Sequence, residues 1–391
     1  MKSLSLLSKI AVVALMGVVF VGCGSKPVVG VLLPTSGSAA SYGNSMKEGI
    51  ELAIEQGRAD GTMPASLVFV WADTGTDPAR AVDELGNLSS QGANIVIMGT
   101  TSDTARQLLP ELDRLNVVAL SPSASAPNLT KDSKLFFRVF ASDELEGRRA
   151  GRFLREEQDA TTAMIFAEDS EQARGIEPPF RQVFEQAMEG RVVGRVSLSD
   201  PNWVDDANDV LAAHLPDAVY VIGYADPSLE VLRLLRNAQY EGTICLTSAF
   251  YSGEIIEKDP ALVEGVFFPQ PAFDMKDERE LVQNFVTSFT AKFGHEPDIY
   301  AAHAFDAARV VAQVIAEAPV YDSSNLRKGF MFSVKEFPGV TGIIQFNDYG
   351  DVHHNPIMFT IRDGQVLNFE RFVKEQKVII RSRIRNLLQG G

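Results

Sequence analysis

Short, continuous apolar runs alternate with stretches in which apolar residues recur every three or four positions. Val28-Val-Gly-Val-Leu-Leu33, Leu67-Val-Phe-Val-Trp71, Ile95-Val-Ile-Met98 and Val117-Val-Ala-Leu120 read as strands covered on both faces. Between them lie helical faces carrying Met46, Ile50, Ala53 and Ile54, then Ala81, Val82, Leu85 and Leu88. The alternation restarts with a helix around 144–156 and the strand Ala163–Phe166, then a helix over about 177–188 and the strand Val192–Ser197. A helix around 204–213, the strand Ala218–Ile222, a helix bearing Leu229, Leu232 and Leu235, and a strand at Ile244 complete it. Two amphipathic helices follow, marked by Leu281, Val282, Phe285, Val286 and Phe289 and by Ile299, Ala302, Phe305 and Val311. Strands are predicted at Gly342–Phe346, Met358–Ile361 and Val366–Phe372. The pattern predicts two doubly wound α/β lobes.

Where the third and fourth runs end, the polarity changes in one particular way. Gly99-Thr-Thr-Ser-Asp-Thr104 and Ser121-Pro-Ser-Ala-Ser-Ala-Pro127 are clusters of small hydroxyl residues. In an open parallel sheet such clusters fall at the carboxyl ends of neighbouring strands, where ligands bind. Ser102 is placed near a helix N-terminus, beside free backbone N–H groups and a positive dipole end. The residue types suit a cup for a small anionic or zwitterionic molecule.

The chain has 391 residues, 45% hydrophobic and 22% charged, an ordinary globular balance long enough for two lobes. Its formal net charge is −15, and residues 1–22 contribute two lysines and no acid, so the remainder is more acidic still. Such a field repels phosphate backbones and argues against nucleic-acid partners. Lys2 and Lys9 precede the apolar run from Ile10 to Gly22, too short to span a bilayer and suited to a secretory signal. Cys245, in the apolar run Thr243–Leu246, is expected as a buried hydrophobe. His214, His295, His303, His353 and His354 have no metal-ligand spacing, and adjacent strand residues such as His353 and His354 face opposite ways. Phosphate-loop, dinucleotide and nucleophile-elbow motifs are all missing, so neither cofactor nor catalysis is expected.

Several strings together resemble the type I periplasmic binding proteins, in the leucine/isoleucine/valine-binding branch. They are Pro34-Thr-Ser-Gly with Tyr42-Gly, Asp73-Thr-Gly-Thr-Asp-Pro-Ala-Arg-Ala-Val82, Ser121–Pro127, Val219-Tyr with Gly223-Tyr224, and Gly339-Val-Thr-Gly with Phe346-Asn-Asp-Tyr-Gly-Asp351. The stretch Phe20-Val-Gly-Cys23 resembles a lipoprotein lipobox, which implies lipidation of Cys23 and a membrane anchor. The family likeness implies two Rossmann-like lobes joined by a three-strand hinge. The expected division is a signal peptide over 1–22, an N-terminal lobe from 27–140 and 269–335, a C-terminal lobe from 141–268 and 336–372, and a basic tail over 373–391.

It also implies a ligand held between the lobes and handed to an ABC transporter permease on closure. Carried over by position, Ser102 receives a ligand carboxylate, Ser123 and Ser125 meet ammonium and carboxylate groups, and Tyr42 and Tyr224 line the cleft. Two positions depart from amino-acid binders. Ser248 stands where they place a glutamate for the ammonium, and Arg174-Gly175 where they have tyrosine before glycine. A buried ammonium without a carboxylate costs on the order of several kcal/mol. Arg174 would favour a second anionic group if it faces the cleft, and Glu168 or Asp169 would restore a negative charge. Two functions are therefore expected in competition. One is a lipid-anchored solute-binding protein for an amino-acid-like or carboxylate ligand. The other is a regulatory lipoprotein of the same fold that binds a protein partner such as a cell-wall synthase.

Overall fold

The computed structural model describes residues 26–250, 256, 259–352 and 354–389. The expected signal segment, Cys23 and His353 lie outside them. The first sheet is wholly parallel, in the order β2 (Val68–Asp73), β1 (Val28–Leu33), β3 (Ala93–Met98), β4 (Val118–Ser121), β5 (Phe136–Arg138). Helices α1 (Ala40–Asp60), α2 (Pro78–Ser90), α3 (Ser102–Leu115) and the short α4 (Leu129–Asp132) cross over between its strands. The order reverses between β1 and β3, so the crevice outside their carboxyl ends is the switch point where ligands bind in open α/β sheets. The second sheet runs β14 (Gln365–Asn368), β13 (Ile357–Arg362), β10 (Phe267–Gln270), β9 (Thr243–Leu246), β8 (Ala218–Ile222), β6 (Thr162–Ala167), β7 (Arg191–Ser197). Here β6 to β10 pair in parallel, while β13 and β14 add an antiparallel edge. Its switch point lies between β6 and β8.

Helix starts follow the small polar residues. Asp77 accepts from Ala79 N (2.8 Å) and Arg80 N (3.3 Å) ahead of Pro78 in the first turn of α2. Ser142 caps α5 (Asp143–Arg152) through Glu144 N at 3.3 Å, and Ser170 caps α6 (Glu171–Arg181) through Ala173 N at 3.1 Å. The helix expected around 144–156 begins at Asp143, that expected at 177–188 begins earlier, at Glu171, and each ends in a wider π-type turn. The C-terminal helix runs Phe369–Gln389, so the strand expected through Phe372 stops at Asn368.

The chain crosses between sheets three times: after Arg138, after Gln270, and between Val352 and Ile357. Helix Ile299–Glu317 packs on α1 so closely that a Cβ on Gly49 would sit 2.1 Å from the Ala301 carbonyl oxygen. Its buried face joins Phe285, Phe289, Ile50 and Ala53 in the first lobe's core. Val340, Ile344, Phe346 and Val352 also bury in that core. The segment 336–352, expected in the C-terminal lobe, therefore belongs to the first lobe, and the last crossing comes about 20 residues later than drawn from sequence. The hairpin Phe337–Gly339 with Gly342–Ile344 is too short to advertise its side by alternation.

Candidate functional site

The two hydroxyl clusters meet. Ser102 opens α3, and its Oγ accepts from Ser125 N at 3.2 Å and from Ala126 N at 3.0 Å. Both lone pairs are thereby used, leaving the hydroxyl proton to donate. Ser123 Oγ donates to the Thr100 carbonyl at 2.9 Å, and the buried Thr100 hydroxyl has no hydrogen-bond partner. Behind the loop Arg138, only 1% exposed, donates to Ala126 O at 2.7 Å and Ala124 O at 3.2 Å and pairs with Asp351. A buried guanidinium thus fixes the backbone on which Ser123 and Ser125 sit. Ser102, Ser123 and Ser125 form one cup at the switch point of the first sheet.

A carboxylate from another element stands against Ser248. Glu146, on α5, is buried and accepts from Ser248 N at 2.8 Å and Ser248 Oγ at 2.6 Å. One turn earlier, the buried Asp143 carboxyl accepts from the Ser125 hydroxyl. Burial pushes Asp143 up to about 6, opposed by the Ser125 bond and the Arg138 charge and reinforced by Glu171. Burial also pushes Glu146 up to about 8, with Asp143 adding to it and the two Ser248 bonds opposing it. At neutral pH the pair therefore carries one charge and one proton. Beneath it lie the buried Tyr220 phenol, without a hydrogen-bond partner, and the buried Cys245 thiol, pushed well up by burial. Cys245 takes the buried place its apolar surroundings suggested.

Tyr42 on α1 and Tyr224 after β8 stand in opposite lobes, 43% and 52% exposed. Burial raises the Tyr224 phenol, and Asp143, Asp103, Glu168 and Tyr42, which come from both lobes, raise it further. Its backbone N–H is held by Glu168 Oε2 at 2.7 Å. Tyr42 packs on Tyr300, ring centroids 4.8 Å apart, and Tyr300 stacks on Phe140 at 5.8 Å.

Arg174 stands apart. Its exposed guanidinium binds Asp169 at 2.8 Å and Glu171 at 3.6 Å, in an open groove that α5 and α6 form with Pro127 and Asn128. These two acids already satisfy it, and the structure brings it to none of the cup residues. Next to it, a Cβ on Gly175 would lie 2.7 Å from Pro127 Cδ, so the lobes touch there. Arg106 of α3 spans the same seam, 2.7 Å from Glu171. Asp143, Glu146 and Tyr300 escaped the sequence reading. Acids in a first helical turn usually serve the helix dipole, and only their spacing of three, just past a lobe crossing, hinted otherwise.

A sequence model described as "Periplasmic binding protein" matches residues 27–365. The chain is 25% identical over 327 residues to the "Leucine-, isoleucine-, valine-, threonine-, and alanine-binding protein" of Pseudomonas aeruginosa, covering 82% of this chain and 85% of that one. A branched-chain amino acid transporter substrate-binding protein of Streptococcus pneumoniae, solved with isoleucine, superimposes with a TM-score of 0.74 at 24% identity over 87% of this chain and 97% of that one. An ABC-transporter solute-binding protein of R. palustris, solved with benzoate, gives 0.72 at 21% identity over 87% and 94%.

Proposed function

The chain belongs to the periplasmic binding proteins, in the leucine/isoleucine/valine-binding branch, and from that premise we propose that it is a lipid-anchored, extracytoplasmic solute receptor delivering a small amino-acid-like or carboxylate ligand to an ABC importer. The family binds substrates and does not transform them, so the site is read as a binding site alone. The observation that carries the proposal is the facing of the hydroxyl cup by buried carboxyls. Ser102, Ser123 and Ser125, with the N–H groups of the α3 N-terminus, receive a carboxylate by charge-assisted bonds. Asp143 and Glu146 receive a cationic or hydrogen-bond-donating group beside it, replacing the glutamate expected at position 248. Tyr42 and Tyr224 close over the apolar part from either lobe. Arg106 with Glu171 and Gly175 with Pro127 are the contacts that closure would bring together. Cys23 carries the anchor in this reading, and a permease recognises the closed form.

The test is a thermal-shift and calorimetric screen of the protein against amino acids, aryl carboxylates and small amides. At 100 times its dissociation constant, a ligand adds about 2.7 kcal/mol and raises the midpoint. Ser125→Ala is the informative variant, because Ser102→Ala would also orphan two buried N–H groups. Binding lost in Ser125→Ala supports the receptor reading. Absence of binding across the panel defeats it and favours the protein-partner reading, for which the C-terminal helix shows exposed Val378 and Ile380 beside Lys374, Lys377 and Arg381.

A further inference from the structure

A cavity of about 420 Å³ is lined by Tyr42, Ser248 and Tyr300 and by residues of the hinge. That size lies within the roughly 300–1,000 Å³ of sites for small organic ligands. Its walls come from both lobes: Phe273 in the second crossing, Ile299 at the start of its helix, and Leu367 and Phe372 from the C-terminal hairpin and helix. Two of the charges at its rim are spent on one another, since Asp274 accepts from Arg371 at 2.5 Å and also from Asn368 at 3.0 Å, while Asp298 accepts from Ala301 N at 2.8 Å. Lys276, Glu296 and Glu375 also line it, and Phe273, Tyr300, Phe359 and Phe372 supply aromatic wall. Gln270, 4% exposed, lines the cavity, and its side-chain Nε2 is buried without a hydrogen-bond partner. An unpaired buried donor is unfavourable by itself, and a ligand acceptor placed there would satisfy it.

We propose that this cavity is a ligand chamber taking an aromatic body with a hydrogen-bond acceptor for Gln270, so that the receptor selects ligands longer than a branched-chain amino acid. This rests on the receptor reading: the polar head occupies the cup and the body passes Ser248 and Tyr300 into the chamber. A ligand so placed touches the second crossing and the C-terminal hairpin at once, and its length is therefore read where the lobes rotate.

Two probe series separate the possibilities by calorimetry: L-leucine, L-phenylalanine and L-tyrosine, and the amine-free isovalerate, phenylacetate and 4-hydroxyphenylacetate. In whichever series binds, the phenyl probe should bind about tenfold or more tightly than the aliphatic one, and the phenolic probe about tenfold tighter again. Gln270→Leu should erase the second step alone. Leu367→Trp should fill the chamber and erase both, leaving the aliphatic probe's affinity within about twofold. An aliphatic probe that binds best, or ring probes indifferent to both substitutions, overturns the chamber and leaves the receptor reading standing. No binding in either series overturns both.

Discussion

Replacing Glu146 with glutamine should stabilise the ligand-free protein at neutral pH and leave it nearly unchanged in acid. The Glu146 carboxyl is buried and titrates near 8 in the fold against an ordinary value of 4.5. Its folded pKa is raised, so between those values the folded chain keeps a proton that the unfolded chain has released. Stability contributed by the protonated group is complete below about pH 4.5 and falls as pH rises toward 8. The slope is at most about 1.4 kcal/mol per pH unit, so roughly 3 kcal/mol is lost between pH 4.5 and 7. Glutamine copies the neutral form: its oxygen accepts from Ser248 N, and its amide donates to Ser248 Oγ, which turns to accept. Urea unfolding of both proteins at pH 4.5 and 7 measures the difference, taken on the transition of the second lobe should the two lobes unfold separately. The variant should match the parent at the lower pH and exceed it by up to roughly 3 kcal/mol at the higher. A variant weaker at pH 7, or a difference independent of pH, would refute the account by showing that Glu146 is ionised and well paired in the fold.

Arg138→Met removes a buried charge holding Asp351 and the carbonyls of Ala124 and Ala126. It should cost about 3–5 kcal/mol in urea, together with any binding at the cup. Glu171→Gln breaks the seam pair with Arg106, whose side chains are 40% and 32% exposed, so the loss is at most about 1 kcal/mol. Small-angle scattering of the ligand-free variant should show a larger mean radius than the parent at low ionic strength. The difference should vanish at about 0.5 M salt, where the Debye length falls to a few ångströms.

Most of the fold was legible because its strands are covered on both faces and its crossover helices are amphipathic. Val28–Leu33, Ile95–Met98 and Ala218–Ile222 each announce themselves by composition alone. The hydroxyl cup was legible for a related reason: Ser102, Ser123 and Ser125 lie a fixed few residues beyond strands whose ends the pattern marks. Two things were hidden. The side taken by Val340, Ile344 and Phe346 depends on where the chain turns back, and a three-residue hairpin carries too little periodicity to say. Glu146 was hidden because its partner, Ser248, is 102 positions away and its carboxyl looks like any helix-start acid until the fold buries it. Arg174 errs in the opposite direction. Its place beside a glycine invited a cleft role, but Asp169 and Glu171 hold it at the surface.

The three crossings also govern how the chain can be made. The first lobe needs residues 28–138 for its sheet and then the helix Ile299–Glu317 and Val340–Val352 to cover one face of it. A ribosome that has released only the first 140 residues has delivered a five-stranded sheet with Val29, Val31, Ile95 and Ile97 lacking the helix that later buries them. The second lobe waits in turn for β13 and β14, which follow its other five strands in the chain. The first lobe cannot finish before Val352 exists nor the second before Asn368, and contacts this distant in sequence close slowly. The nascent protein therefore exposes apolar core faces until its late segments arrive, and truncation before Val352 should leave both lobes uncovered.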